Sequence, residues 1–123
     1  MKKILIIIFV FLSNNSFAID KSTSFTNEIF QKAPSEGKTV VINSWNKFCF
    51  TCSKQTKVLN QVEKEFKDVL FLSFEQTKNK DIAQFLKIDY WTTIVIYKDN
   101  KETYRSMGVT NKSEIYSAIK SNT

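Results

Sequence analysis

Apolar and polar positions change period several times along the chain, and each change marks an element. Thr39-Val40-Val41-Ile42-Asn43-Ser44-Trp45 is a short β-branched run, the composition of a buried strand rather than an amphipathic helix. Beyond it Val58, Leu59, Val62 and Phe66 recur on one helical face, with Lys54, Lys57, Glu63, Lys64 and Lys67 mostly off it. Val69 to Phe74 returns to strand. Its alternate sets, Val69, Phe71 and Ser73 against Leu70, Leu72 and Phe74, are both largely apolar, which suits a central strand covered by helices. Ile82, Phe85 and Leu86 predict a helix over Lys80 to Lys87, and Thr92 to Tyr97 reads as strand again. Lys98-Asp99-Asn100-Lys101 is a polar hairpin turn into a last strand, Glu102 to Met107. Asn111, followed three residues later by Glu114, is a capping signal for a final helix that turns Ile115, Ala118 and Ile119 inward. At the front of this series Phe25, Ile29 and Phe30 predict a short helix over Ser24 to Ala33, closed by a turn at Pro34-Ser35-Glu36-Gly37-Lys38.

The order α-β-α-β-α-β-β-α, strand-helix-strand with a closing antiparallel hairpin, predicts an α/β domain with a central mixed β-sheet flanked by helices. At 123 residues, 42% hydrophobic and 14% aromatic, the chain is one domain with enough apolar material for a core. Two glycines and one proline leave little for linkers.

Composition changes the picture most at the N-terminus. Met1-Lys2-Lys3, the apolar run Ile4 to Leu12 and the polar stretch ending in Ser16-Phe17-Ala18 have the three parts of a secretory signal. The expectation is a signal peptide over residues 1–18, cleavage after Ala18, a mature domain over 19–123, and a periplasmic or otherwise exported protein. The alternative, a stable membrane anchor, is opposed by an apolar run of nine residues, far below the roughly 20 that span a bilayer. The formal charge of +6 includes Lys2 and Lys3; without them 16 basic groups face 12 acidic ones, interspersed along the chain. A nucleic-acid stripe is excluded on that pattern, and a solvated surface is expected.

The chain's two cysteines, Cys49 and Cys52, stand at the predicted strand-to-helix junction. A thiol at a helix N-terminus meets unpaired N–H groups and the positive dipole end, which favour thiolate. Cys49 is therefore the candidate nucleophile. Cys52, one turn on, can attack a mixed disulfide formed at Cys49 and release it. A purely structural bridge is the bland alternative in an exported chain, but so short a loop contributes little by chain entropy.

Strand, Trp45, three residues, Cys49-Phe50-Thr51-Cys52 and helix together resemble the active-site pattern of thioredoxin-like proteins, over roughly residues 24 to 121. Thr93 to Glu102 resembles that fold's late hairpin, and Gly108 sits where the family carries a glycine before its last helix. The resemblance implies a thioredoxin-like fold and a thiol/disulfide oxidoreductase. It would be a monomer without cofactor or metal, exchanging with protein thiols or disulfides and recharged by a redox partner. It implies Cys49 as attacking cysteine, Cys52 as resolving cysteine, and Trp45 packed beside them. Trp91 and Thr92 would form the loop that meets substrate.

The departures carry information of their own. Phe50-Thr51 replaces the Gly-Pro pair of thioredoxins proper, a known tuner of redox potential. Asn43 stands where the family resembled here holds a buried aspartate that relays a proton for the resolving thiol. Asparagine cannot titrate, so water or another carboxylate must serve, with Glu75 a weak candidate. There is no histidine, which leaves the helix dipole, with Lys47 and Lys54 nearby, as the main means of favouring the Cys49 thiolate. Thr92 occupies the position of the family's cis-proline, and Pro34 is in the wrong part of the chain to replace it. A cis bond before a non-proline residue costs about 2.5 to 4 kcal/mol, against roughly 0.5 to 1 before proline. A trans Trp91–Thr92 bond is expected, with the threonine hydroxyl near the Cys49 sulfur. Trp91 either meets substrate or is a packing aromatic. Two other functions stay open at this point: a metal or iron–sulfur module, for which two thiolates supply half of a Cys₄ site, and an interaction domain with an inert disulfide. Oxidase, reductase and isomerase directions are not distinguished.

Overall fold

The β-branched run is the middle of the sheet. A computed structural model describes residues 23–123; the expected signal peptide and its cleavage site lie outside the described residues. The elements are β1 (Thr23–Ser24), α1 (Asn27–Lys32), a 3₁₀ turn (Ala33–Glu36), β2 (Thr39–Trp45), α2 (Phe50–Glu63), β3 (Val69–Glu75), α3 (Lys80–Leu86), β4 (Thr93–Lys98), β5 (Lys101–Met107) and α4 (Lys112–Ser121). The strands lie in the order β1-β3-β2-β4-β5. β3 runs parallel to both β1 and β2, while β4 is antiparallel to β2 and to β5.

Alternation along β2 divides the core into two layers. Val40 and Ile42 join Phe25, Leu72, Phe74, Leu86 and Val95 on one face, with Ile29, Phe30 and Ile82 of α1 and α3 packed against them. Val41 joins Phe71, Ile94 and Ile96 on the other, beneath Leu59 and Val62 of α2 and Ile115 and Ile119 of α4. Each such side chain, fully buried, contributes roughly 1.5 to 3 kcal/mol. Asn43 and Trp45 share the α2 face with Val41, which is how an asparagine comes to lie under the active-site helix.

Element bounds at the front of the chain and after α2, and the facing of one side chain, differ from expectation. The first helix begins at Asn27 rather than Ser24, because Thr26 caps it with Oγ1 accepting from Ile29 N at 3.2 Å. Thr23 and Ser24 are spent on a short strand against β3, and Phe25 N donates to Ser73 O at 2.9 Å. α2 ends at Glu63, so Phe66 lies past it and packs on Tyr116 from the following coil, with ring centroids 5.2 Å apart. Phe85, expected to face inward, is exposed, with its ring edge-on to Phe30; Ala83 and Leu86 are the buried residues of α3. The hairpin turn forms as read: Asp99 and Asn100 both have positive φ, the conformation that a two-residue hairpin loop requires. So does the α4 cap, where Asn111 Oδ1 accepts from Glu114 N at 3.1 Å.

Candidate active site

β2 delivers the chain to α2 through a turn closed by Asn46, whose Oδ1 accepts from Phe48 N at 3.0 Å and whose O accepts from Cys49 N at 3.1 Å. Cys49 is thereby set at the N-cap of α2 in extended conformation, and its Sγ accepts from Cys52 N at 3.1 Å. The sulfur takes the place of the oxygen that a serine or aspartate presents at such a cap. Cys49 and Cys52 form a disulfide with Cα atoms 5.2 Å apart. Their environments are unequal. Cys49 is half-buried, between the exposed rings of Phe48 and Phe50, whereas Cys52 is 2% exposed.

Facing the pair is Thr92. There is no cis peptide bond among the described residues, so the Trp91–Thr92 bond is trans, as its free-energy cost predicted. Thr92 instead adopts φ +61°, a left-handed conformation unusual for a β-branched residue. Its backbone is tied at both ends: Thr92 N donates to Ser44 O at 2.8 Å, and Thr92 O accepts from Gly108 N at 2.8 Å. Gly108 itself has φ +77°, so the glycine that the sequence singled out supplies the left-handed backbone from which this bond is made. The Thr92 hydroxyl lies 3.4 Å from Cys49 Sγ, where it was expected, and closer still to Cys52 Sγ at 3.0 Å.

Under the disulfide is a residue the sequence reading passed over. Gln55 is fully buried; its Oε1 accepts from Asn43 Nδ2 at 2.5 Å, and its Nε2 donates to Val109 O at 2.8 Å and to Thr92 O at 3.2 Å. The amide thus links the middle of β2, the Thr92 loop and the entry to α4. A signal was present, since Cys52, Gln55, Leu59 and Val62 form the buried stripe of α2, with a polar residue at a core spacing.

The other candidates fall as follows. Trp45 lines an open cavity of about 490 Å³ together with Asn43, Cys49, Cys52, Ser53 and Thr56. Trp91 is half-exposed next to Thr92 and takes no place in the core. Glu75 does not line that cavity; its Oε2 lies 3.3 Å from Lys78 Nζ. Lys47 and Lys54 sit over the rings of Phe48 and Phe50, at 5.7 and 5.1 Å from their centroids. Among the described residues no group of three or more His, Cys, Asp or Glu could hold a metal ion, and no helix is long and apolar enough to cross a membrane.

The family model described as Thioredoxin matches residues 17–121. A thioredoxin H-type from Fagopyrum esculentum is 32% identical over 93 residues, covering 76% of this chain and 79% of that protein. A thioredoxin from Mycoplasma genitalium is 27% identical over 95 residues, covering 77% and 89%. Among solved structures, Trxlp from Edwardsiella tarda superposes with a TM-score of 0.74 at 19% identity, covering 78% of this chain and 95% of that one. Fasciola hepatica thioredoxin gives a TM-score of 0.70 at 21% identity, covering 78% and 89%.

Proposed function

Because the chain belongs to the thioredoxin family, as a thiol/disulfide oxidoreductase, we propose that it exchanges disulfides with protein partners outside the cytoplasm, using Cys49 as nucleophile and Cys52 as resolving thiol. The observation that carries this reading is the inequality of the two sulfurs. Cys49 is the accessible one, held at the N-terminus of α2 by the Cys52 N–H, and the same N–H and helix dipole favour its thiolate once the disulfide is reduced. Cys52 is enclosed, 2% exposed.

The reduced Cys49 thiolate attacks one sulfur of a partner disulfide, the other partner sulfur leaves, and a mixed disulfide remains. Cys52 then attacks Cys49 Sγ, closing the intramolecular disulfide and freeing the partner as a thiol. A second redox protein returns the pair to dithiol by the same steps in reverse. Phe48, Phe50, Tyr90, Trp91 and Met107 leave large apolar side chains exposed; the first two flank Cys49 and Trp91 adjoins Thr92. Such a surface suits a protein partner better than a small thiol. Trp45 and Trp91 are assigned to its contact, while both backbone polar groups of Thr92 are already engaged within the fold.

Dithiothreitol-dependent reduction of a protein disulfide by the purified protein tests the activity, and Cys49→Ser should abolish it. Cys52→Ser should retain attack but accumulate mixed disulfides visible on a non-reducing gel from the exporting cell. A blank gel would count against protein partners, and slow alkylation of Cys49 in that variant would count against its role as nucleophile.

A further inference from the structure

In the disulfide neither sulfur carries a hydrogen, so the Thr92 hydroxyl is the donor in both contacts, its one hydrogen shared between the sulfurs and nearer to Cys52. These two sulfurs are its hydrogen-bond partners among the described residues, and it has one hydrogen to give. Cys49 Sγ has a second donor in Cys52 N. Cys52 Sγ, buried, has Thr92 alone among the described residues. Among the described residues no carboxylate lines the cavity beside it. The charged groups lining the adjoining cavity are Lys47 and Lys57, Asn43 occupies the sheet position beneath, and Glu75 is turned to Lys78. Among the described residues, a buried thiol that must ionise in order to act therefore has one side-chain hydrogen-bond partner in place to hold the anion, the Thr92 hydroxyl.

We propose that Thr92 is a catalytic residue of the resolving step, its hydroxyl donating to the Cys52 sulfur as the thiol becomes thiolate. This rests on the assignment of Cys49 as nucleophile and Cys52 as resolving thiol. Once Cys49 is joined to the partner its sulfur is neutral, and the single hydroxyl hydrogen is free for Cys52. The Cys52 thiol gives its proton to water in the cavity that it lines with Asn43, Ser53 and Thr56. The thiolate, held by the hydroxyl, attacks Cys49 Sγ. The Cys49–Cys52 bond forms, the bond from Cys49 to the partner breaks, and the partner sulfur leaves with the electron pair and takes a proton from water. Two electrons have then passed from the cysteine pair to the partner disulfide, which ends as two thiols. Asn43 and Gln55 act as positioning residues, since the Gln55 amide holds Thr92 O and so keeps the loop in the left-handed turn that aims the hydroxyl.

The test is a single turnover of the reduced protein with a chromogenic aromatic disulfide, which releases one aryl thiolate when Cys49 attacks and a second when Cys52 resolves. Thr92→Val should slow the second release by about tenfold at a pH below the Cys52 midpoint, the scale of one pKa unit. The deficit should vanish at alkaline pH, where Cys52 ionises unaided. Thr92→Ser should restore the wild-type profile. In the Cys49→Ser background, ultraviolet absorbance of the thiolate should place the Cys52 midpoint about one unit higher with Val than with Thr or Ser. Lys47 and Lys57 are common to all variants and cancel in the comparison. If Thr92→Val does not fold, Thr92→Ala carries the same comparison with less crowding in the left-handed region. An unchanged second release and an unchanged Cys52 midpoint overturn the role of Thr92. Iodoacetamide alkylation of Cys52→Ser is read separately: slow alkylation overturns the nucleophile assignment, whereas fast alkylation beside an unchanged second release overturns the Thr92 proposal alone.

Discussion

Thr92 shows how far one substitution at a family position propagates. A β-branched residue in the left-handed region costs roughly 1 to 2 kcal/mol, and that strain persists because Ser44 O, Gly108 N and Gln55 Nε2 all hold its backbone. Putting the family's proline back would not rebuild the family's site. Proline fixes φ near −65° and has no N–H, while this position uses φ +61° and donates to Ser44 O. Thr92→Pro should therefore destabilise the fold by about 3 kcal/mol or more, measured by denaturant unfolding. Wild-type stability would mean that the loop has a second, proline-compatible path. The sequence made part of this legible: the missing proline was visible by alignment of motif and hairpin, and the free-energy cost of a cis bond indicated trans. The sign of φ was not visible, because neighbouring elements impose it through bonds between residues 44, 92 and 108 that no local pattern encodes.

α2 is the element that joins fold to site, and its buried stripe is part apolar and part polar. Leu59 and Val62 anchor it on the sheet, while Cys52 and Gln55 continue the same stripe beneath the disulfide. Gln55→Leu would keep the volume and lose the bonds. Asn43 Nδ2 would be left with only its 3.4 Å contact to Ser44 O, and Val109 O would lose its Gln55 donor. At about 1 to 3 kcal/mol for each buried group left unsatisfied, a loss of roughly 2 to 6 kcal/mol is expected in urea unfolding. The double variant Asn43→Leu with Gln55→Leu should cost less than the sum of the two singles, because both partners of the buried amide bond are then removed together. Strict additivity would show that the pair is not coupled. β2, β3, α3, the hairpin and α4 were legible because each carries either a period or a cap in its own residues. β1 was not, because two residues have no period, and Thr23 and Ser24 are strand only through their pairing with β3.

The whole molecule bears on where the mature chain begins. The described elements start at Thr23, so removal of residues 1–18 leaves all of them, with residues 19–22 ahead of β1. Immediately after β1, Phe25 is 5% exposed, packed with Phe30 and Phe74 at ring-centroid distances of 5.4 and 6.4 Å, and its N–H donates to Ser73 O. The edge of the sheet and one core layer thus depend on residues only a few positions beyond the expected cleavage site. A chain starting at Ile19 should match the full-length chain in urea unfolding, whereas one starting at Thr26 should lose about 3 to 5 kcal/mol, the usual effect of removing a buried phenylalanine side chain. Intact mass of the protein from the exported fraction completes the test. A mass beginning at or near Ile19 agrees with cleavage that spares β1 and Phe25. A mass that retains Met1 to Ala18 would overturn the signal peptide, and one beginning beyond Phe25 would place the cut inside the folded domain, contradicting both the site of processing and the part that Phe25 plays in the core.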